Sequence, residues 1–487
     1  MHGSHASNAW LANHRLPAPP RPVILAGPET AVECPPQMPA TIAKTAPPNG
    51  RARWAWMLFD WAAQPYHTLI ITFIFAPYFA SAVAPNPILG QEMWAWAASA
   101  GGLVIALTAP ILGALADATG PRKPWIAGFS VCYALGSALL WLSEPGAADP
   151  VLVLAFFVLG LIGVEYATVF TNAMLPDLAP RDAVGRLSGD GWALGYVGGV
   201  VSLAIMLLLL AENEQGVTLL GAPPALGLDP ATREGTRAVG PLTAAWYLVF
   251  VLPLFLWVPD APRRGSRRGA LARGLAELKA DLKALPARRS LAWFLGASMI
   301  YRDALNGFYV FGGVYAAGVL GWSVVEIGVF GILAAVVGAL GAWLGGMADH
   351  ARGPKPVVAG CLVLLILFSA AAVSASREAI FFWVPVDAGS NLPDILFYIA
   401  GAGVGGAGGA LQAASRTLLV RQADAGRMTA AFGLYALAGK ATAFLAPLAV
   451  AVATGVFQNQ QAGAAPVIGL FLLGLLMLAP VDPEGER

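Results

Sequence analysis

Twelve stretches of this chain stay apolar for long enough to cross a bilayer, at about 54–84, 93–116, 125–143, 151–175, 188–211, 241–258, 291–320, 323–348, 356–376, 392–415, 429–455 and 464–480. A crossing helix needs about 20 mostly apolar residues at about 1.5 Å rise each, and inside the bilayer its backbone must satisfy its own hydrogen bonds. The pattern therefore predicts an all-α membrane protein of twelve transmembrane helices. Composition agrees, since 57% of the 487 residues are hydrophobic and only 12% are charged, a balance foreign to soluble domains. A formal net charge of +1 gives no reason to expect nucleic acid as a partner.

The placement of the basic residues orients these helices. Loops after even-numbered spans hold 18 Lys and Arg, whereas loops after odd-numbered spans hold only Arg233, Arg237 and Arg377. Positive loops stay inside, so both termini are expected in the cytoplasm. Residues 1–50 carry ten prolines and no apolar periodicity, which predicts a disordered cytoplasmic tail without a signal peptide. Residues 51–258 and 291–480 then form two six-helix halves, 259–290 a linker and 481–487 a short tail. Within the linker Leu271, Leu275, Leu278, Leu282 and Leu285 recur at helical spacing beside Arg273, Lys279 and Lys283, the pattern of an amphipathic helix lying on the membrane surface. Cys34, Cys132 and Cys361 form no close pair and have no ligand spacing, so neither a disulfide nor a metal site is expected. Only six of the 29 basic residues are lysine; with the many alanines and glycines this suggests a GC-rich genome, and a bacterial inner membrane is the expected location.

The halves repeat each other. Gly113-Ala-Leu-Ala-Asp117-Ala-Thr-Gly120-Pro-Arg122-Lys123 after the second span matches Gly345-Gly-Met-Ala-Asp349-His-Ala-Arg352-Gly353-Pro-Lys355 after the eighth. Gly185-Arg186-Leu187-Ser188 matches Gly426-Arg427-Met428-Thr429, and Asp60 with Tyr66 matches Asp303 with Tyr309. Three matches at similar offsets predict two pseudo-symmetric six-helix bundles in the same orientation, one of the repeat arrangements of secondary transporters. Asp117, at the end of a helix, is placed to accept from free N–H groups at a neighbouring helix N-terminus.

The loop between spans 2 and 3, with its second version between spans 8 and 9, resembles the signature loop of the major facilitator superfamily. Phe59-Asp60-Trp61-Ala62, Asn172-Ala-Met-Leu-Pro176-Asp177 with Gly191-Trp-Ala-Leu-Gly195-Tyr196, and Gln412-Ala-Ala-Ser415-Arg416 with Gly433-Leu-Tyr435-Ala-Leu-Ala-Gly439-Lys440 look like the vacuolar-effluxer-type branch, whose autophagy-related permeases export amino acids from the vacuole. The resemblance implies that the signature loop is a conformational latch between halves. That role carries onto Gly113, Asp117, Gly120 and Arg122, with Asp349 and Lys355 as the second copy.

Ionisable residues inside spans are costly and mark functional sites. Here they are Asp60, Glu165, Arg302, Asp303 and Lys440, joined by His67. Asp60, Gln64 and His67 fall at i, i+4 and i+7 and share a face. Arg302 and Asp303 are neighbours about 100° apart on a helix, so each needs a partner from elsewhere, with Asp60 and Lys440 as candidates. Three acids against two bases leave one carboxylate over, the expected proton carrier. These residues predict a secondary transporter of a small, amino-acid-like organic solute, coupled to protons and working by alternating access as a monomer among membrane lipids. Arg302 and Lys440 would then bind a carboxylate and Asp60 an amino group. Efflux of lipophilic cations or drugs is one alternative, and a non-coupled membrane sensor or lipid scramblase is another. No nucleotide loop, nucleophile constellation or metal cluster stands in the sequence, so neither an enzyme nor a bound cofactor is expected.

Overall fold

The computed structural model describes residues 50–213, 215–263, 269–322, 324–387 and 389–486. The proline-rich stretch expected to be disordered lies outside the described residues, apart from Gly50, which opens the first helix. The first half consists of α1 (Gly50–Val83), α2 (Pro87–Thr119), α3 (Lys123–Leu142), α4 (Pro150–Asn172), α5 (Val184–Leu210) and α6 (Glu234–Trp257). After a linker helix at Ala270–Ala284 come α7 (Arg289–Leu320), α8 (Val324–Arg352), α9 (Pro354–Val373), α10 (Leu392–Gln422), α11 (Ala425–Phe457) and α12 (Gln460–Leu478). Eleven of these are both long and apolar enough to cross a membrane. The remaining one, α7, has the length at 32 residues, but polar residues such as Arg302, Asp303 and Asn306 lower its hydropathy. A two-residue antiparallel pair, Ala379–Ile380 with Val384–Pro385, joins α9 to α10.

Local chemistry sets the ends. Asn86 accepts from Leu89 N–H at 2.9 Å and Asp149 from Val151 N–H at 2.9 Å, each ahead of a proline that needs no partner at the first helical position. Gly120 and Gly353 stop α2 and α8 at φ +98° and +81°, each followed by proline, so both copies of the loop turn on a glycine at positive φ.

Prolines also break three-dimensional regularity where the interior needs it. Pro65 cannot donate to the Trp61 carbonyl; α1 widens into a π-helical segment at Tyr66–Phe73, and the Trp246 indole of α6 donates to that freed carbonyl at 3.0 Å. In α11 Pro447 releases the Ala443 carbonyl. The helix breaks there into Met428–Ala441 and Leu445–Phe457.

Within the first half α3 packs along α4, and α1 against α5 and α6; in the second α9 and α8 pack on α10 and α7 on α12. The most extensive crossings between the halves are α2 with α11 and α5 with α8, and the repeat makes them equivalents. Both crossings lack side chains at the closest point. A Cβ added at Gly113 would lie 2.5 Å from Thr429 O, one at Gly433 2.5 Å from Ala109 O, and one at Gly189 2.6 Å from Ala342 O. Small residues let backbones approach closely in this way.

The linker helix buries Ala270, Gly274 and Leu278. It packs beside Ala114 and Leu115 of α2, while Asp281 and Glu277 pair with Arg427 at the start of α11. It therefore straddles the α2–α11 crossing. Leu271, Leu275 and Leu282 remain exposed, whereas Leu278 of the same series is buried. The side of the molecule carrying this helix and the basic loops is called the linker face below.

Candidate functional site

Polar contacts between the halves form layers that climb from the linker face towards the middle of the helices. In the first layer Asp117, at the end of α2 and 6% exposed, accepts from Thr429 N–H at 3.2 Å and Ala430 N–H at 2.8 Å, the free donors at the start of α11. Carboxylate and helix N-terminus are electrostatically matched. Arg122 donates to Thr429 Oγ1 at 3.1 Å and to Asp177 Oδ2 at 2.6 Å, which ties the loop to the short helical turn Leu175–Leu178 after α4 as well. On the equivalent crossing Asp349 is buried with its carboxylate against Gly185, the second residue of α5. Lys355 does not join this contact. It donates to Ala479 O at 2.8 Å and Val481 O at 2.6 Å, capping the end of α12 inside its own half.

The second layer centres on Arg416 of α10, 3% exposed. Its Nε donates to Ser188 Oγ at 2.9 Å and Nη2 to Ser188 O at 2.7 Å; Nη1 reaches Asn172 Oδ1 at 2.9 Å and Asp60 Oδ2 at 3.2 Å. The Trp56 ring lies 4.8 Å and the Trp192 ring 5.8 Å from the guanidinium carbon. One side chain from the second half thus holds α1, α4 and α5 of the first. A buried charge survives only with such compensation.

The third layer lies about 10 Å further along α1, the rise between Asp60 and His67. Lys440 of α11 and Glu165 of α4 meet at 2.9 Å across the seam. Unlike Arg416 they are open, with 31% and 22% of their side chains exposed. His67 faces the same pair, close enough to feel both charges. Arg302 of α7 lies 4.2 Å from the centre of the Tyr435 ring and donates to Tyr435 O at 2.9 Å. Among the described residues it has no carboxylate within ion-pair distance, so it presents a spare cation beside Glu165. A partly exposed ion pair, an imidazole and a guanidinium with no carboxylate partner among the described residues thus stand together in mid-span.

Asp303 belongs to a different construction. It is 2% exposed and its Oδ2 accepts from Ala446 N–H at 2.7 Å, the first free donor after the break in α11. It caps a half-helix within its own bundle. The repeat partners Asp60 and Asp303 therefore do different work, one across the seam and one inside a half.

Two expectations from the sequence change here. Neither Asp60 nor Lys440 partners Arg302 or Asp303; Asp60 pairs with Arg416 and Lys440 with Glu165. The surplus carboxylate also disappears from the count, because α10 runs to Gln422 and not to about 415, which brings Arg416 inside as a third base. A span ending at about 415 leaves Arg416 in the loop after it, among the cations that set topology. The signal that could have found it is the uninterrupted Thr417-Leu-Leu-Val420 after it, which extends the span past the arginine. Among the described residues no three His, Cys, Asp or Glu side chains stand together as a metal site.

Residues 96–487 match the family described as vacuole effluxer Atg22 like. YxiO of Bacillus subtilis, described as an uncharacterized MFS-type transporter, is 24% identical over 436 residues, which is 88% of this chain and 94% of that one. Autophagy-related protein 22-1 of Aspergillus niger is 23% identical over 314 residues, 62% of this chain and 48% of its own. Among solved structures the proton:xylose symporter XylE covers 89% of this chain and 95% of its own at a TM-score of 0.65 and 14% identity. FucP in the outward conformation covers 89% and 98% at 0.64 and 15%. The likeness is one of fold: twelve helices in two pseudo-symmetric six-helix bundles, the major facilitator arrangement of a multi-pass membrane protein.

Proposed function

The chain belongs to the vacuole effluxer Atg22 like family of major facilitator transporters, and from that premise we propose that it moves a small amino-acid-like solute by proton-coupled alternating access. The observation that carries this reading is the open Glu165–Lys440 pair spanning the seam beside His67 and the unpaired Arg302. The carboxylate of a zwitterionic solute is met by Arg302 and draws Lys440 from Glu165; Glu165, now without its counter-ion, takes up the coupling proton. Asp60 is engaged by Arg416 and Asp303 by the α11 backbone, so of the three acids Glu165 is the one left to carry the proton. The linker face is the cytoplasmic one, with both termini there, in a bacterial inner membrane. The contacts of Asp117 and Arg416 across the seam are the ones that would hold that face closed.

Purified protein in liposomes tests this. Counterflow of labelled amino acids at equal pH should proceed, and an imposed pH gradient should drive accumulation. Glu165→Gln, which mimics the protonated acid, should abolish gradient-driven accumulation yet keep exchange. Accumulation surviving in Glu165→Gln would remove the proton role from this residue, and absence of any amino-acid counterflow would remove the substrate class.

A further inference from the structure

On the face opposite the linker the first bundle holds a cavity of about 350 Å³ between the ends of α1 and α5 and the connection from α5 to α6. Its size falls within the range of small-molecule sites, about 300–1,000 Å³. Phe73, Pro77, Tyr78 and Leu207 give it an apolar, partly aromatic wall. Both lining helices end there in π-helical segments, Phe79–Val83 and Met206–Leu210, the irregularity that recurs at functional sites.

Glu212, Arg233 and Thr236 form the polar side. The Glu212 side chain is wholly covered: Oε1 accepts from Thr236 Oγ1 at 2.7 Å, Oε2 from Thr236 N–H at 3.1 Å, and Arg233 Nε lies 2.8 Å from Oε1. The arginine of this pair is a third exposed, at 34%, and its guanidinium carbon is 6.0 Å from the centre of the Tyr78 ring. The anion is thus sealed away and the cation is presented. Arg233 also holds a left-handed backbone at φ +58°, a conformation that costs a non-glycine residue about 1 kcal/mol or more and persists only where the surroundings impose it.

From this asymmetry we infer that the cavity binds organic anions with an apolar body, a hydrophobic carboxylate above all, its head on Arg233 and its body against Phe73 and Tyr78. The site is separate from the central charges and does not depend on the transport reading. Phe73 also approaches α8 at Gly331 across the seam, so an occupant sits beside a contact between the halves.

The probe is 3-phenylpropanoate, titrated calorimetrically into the full chain in nanodiscs, with 3-phenylpropylamine as the matched cation. The carboxylate should bind and the amine should not. Arg233→Gln should weaken binding at least tenfold. Because that change leaves Glu212 buried without its cation, Leu219→Trp provides an independent arm: Leu219 lines the cavity, is 74% exposed, and the indole fills the space, again with at least tenfold loss. Lys440→Gln, in the central layer, should leave probe binding within twofold. No binding, equal binding of the amine, or loss on Lys440→Gln with retention in both cavity variants would overturn the assignment.

Discussion

Arg416 is held in place by bonds to Ser188, Asn172 and Asp60, and between tryptophan rings. Removing one member of a buried pair strands the other charge, at a cost of about 3–5 kcal/mol. Arg416→Ala should therefore lower the thermal unfolding midpoint of the detergent-solubilised protein sharply. Arg416→Gln combined with Asp60→Asn should recover part of the loss, because neither charge remains; simple additivity of the two single variants would mean the pair is uncoupled. The charged residues of this site were visible in the sequence as costs without an explanation, but their pairing was not. Hydropathy shows that a carboxylate sits at residue 60; which of several cations meets it depends on how four helices are rotated about their axes, and that is fixed by packing over the whole bundle.

The break in α11 depends on two residues far apart in the chain. Pro447 opens the helix and Asp303 satisfies the restarted end. A cap of this kind is worth about 1 kcal/mol. Asp303→Asn keeps an acceptor oxygen and should leave the unfolding midpoint nearly unchanged, whereas Asp303→Leu should lower it and perturb α11. Equal stability of the two would show that the contact does no structural work. Proline and the helical periods made the elements readable: the expected spans and the observed helices agree apart from their ends, and the proline in α11 marked its kink. Arg416 fell outside because a basic residue near a span end has two meanings, topology marker or buried cation, and local sequence separates them only by the few apolar residues that follow. The π-helical course of α1 was likewise hidden, since it needs an indole from α6 to take the freed carbonyl.

At the scale of the molecule, the proposed alternating access requires the α2–α11 and α5–α8 crossings to part. Asp117→Asn weakens the hold on the α11 N-terminus without touching the third layer, so transport should slow while solute affinity stays within a few-fold; a large loss of affinity with normal turnover would move Asp117 into the binding site. Gly113→Leu adds atoms where Thr429 O already stands 2.5 Å from a Cβ, and it should keep the linker face open. Ala430→Cys, 1% exposed as alanine, reports this directly: a thiol reagent should label it slowly in the parent and at least tenfold faster with Gly113→Leu. For orientation, a reporter fused after Lys283 should read cytoplasmic and one inserted near Glu234 external.

The bare backbone crossings have a further effect on the balance between the two states. Closing an ordinary interface freezes side-chain rotamers, at up to about 2 kcal/mol for each long side chain. Gly113, Gly433 and Gly189 have no rotamers to lose, and when they separate they expose little apolar surface. The closed and open linker faces therefore differ little in side-chain entropy or hydrophobic area at these points. What remains to decide between them is a short set of directional contacts around Asp117 and Arg416, and in the proposed cycle this is the gap that the bound solute has to reverse.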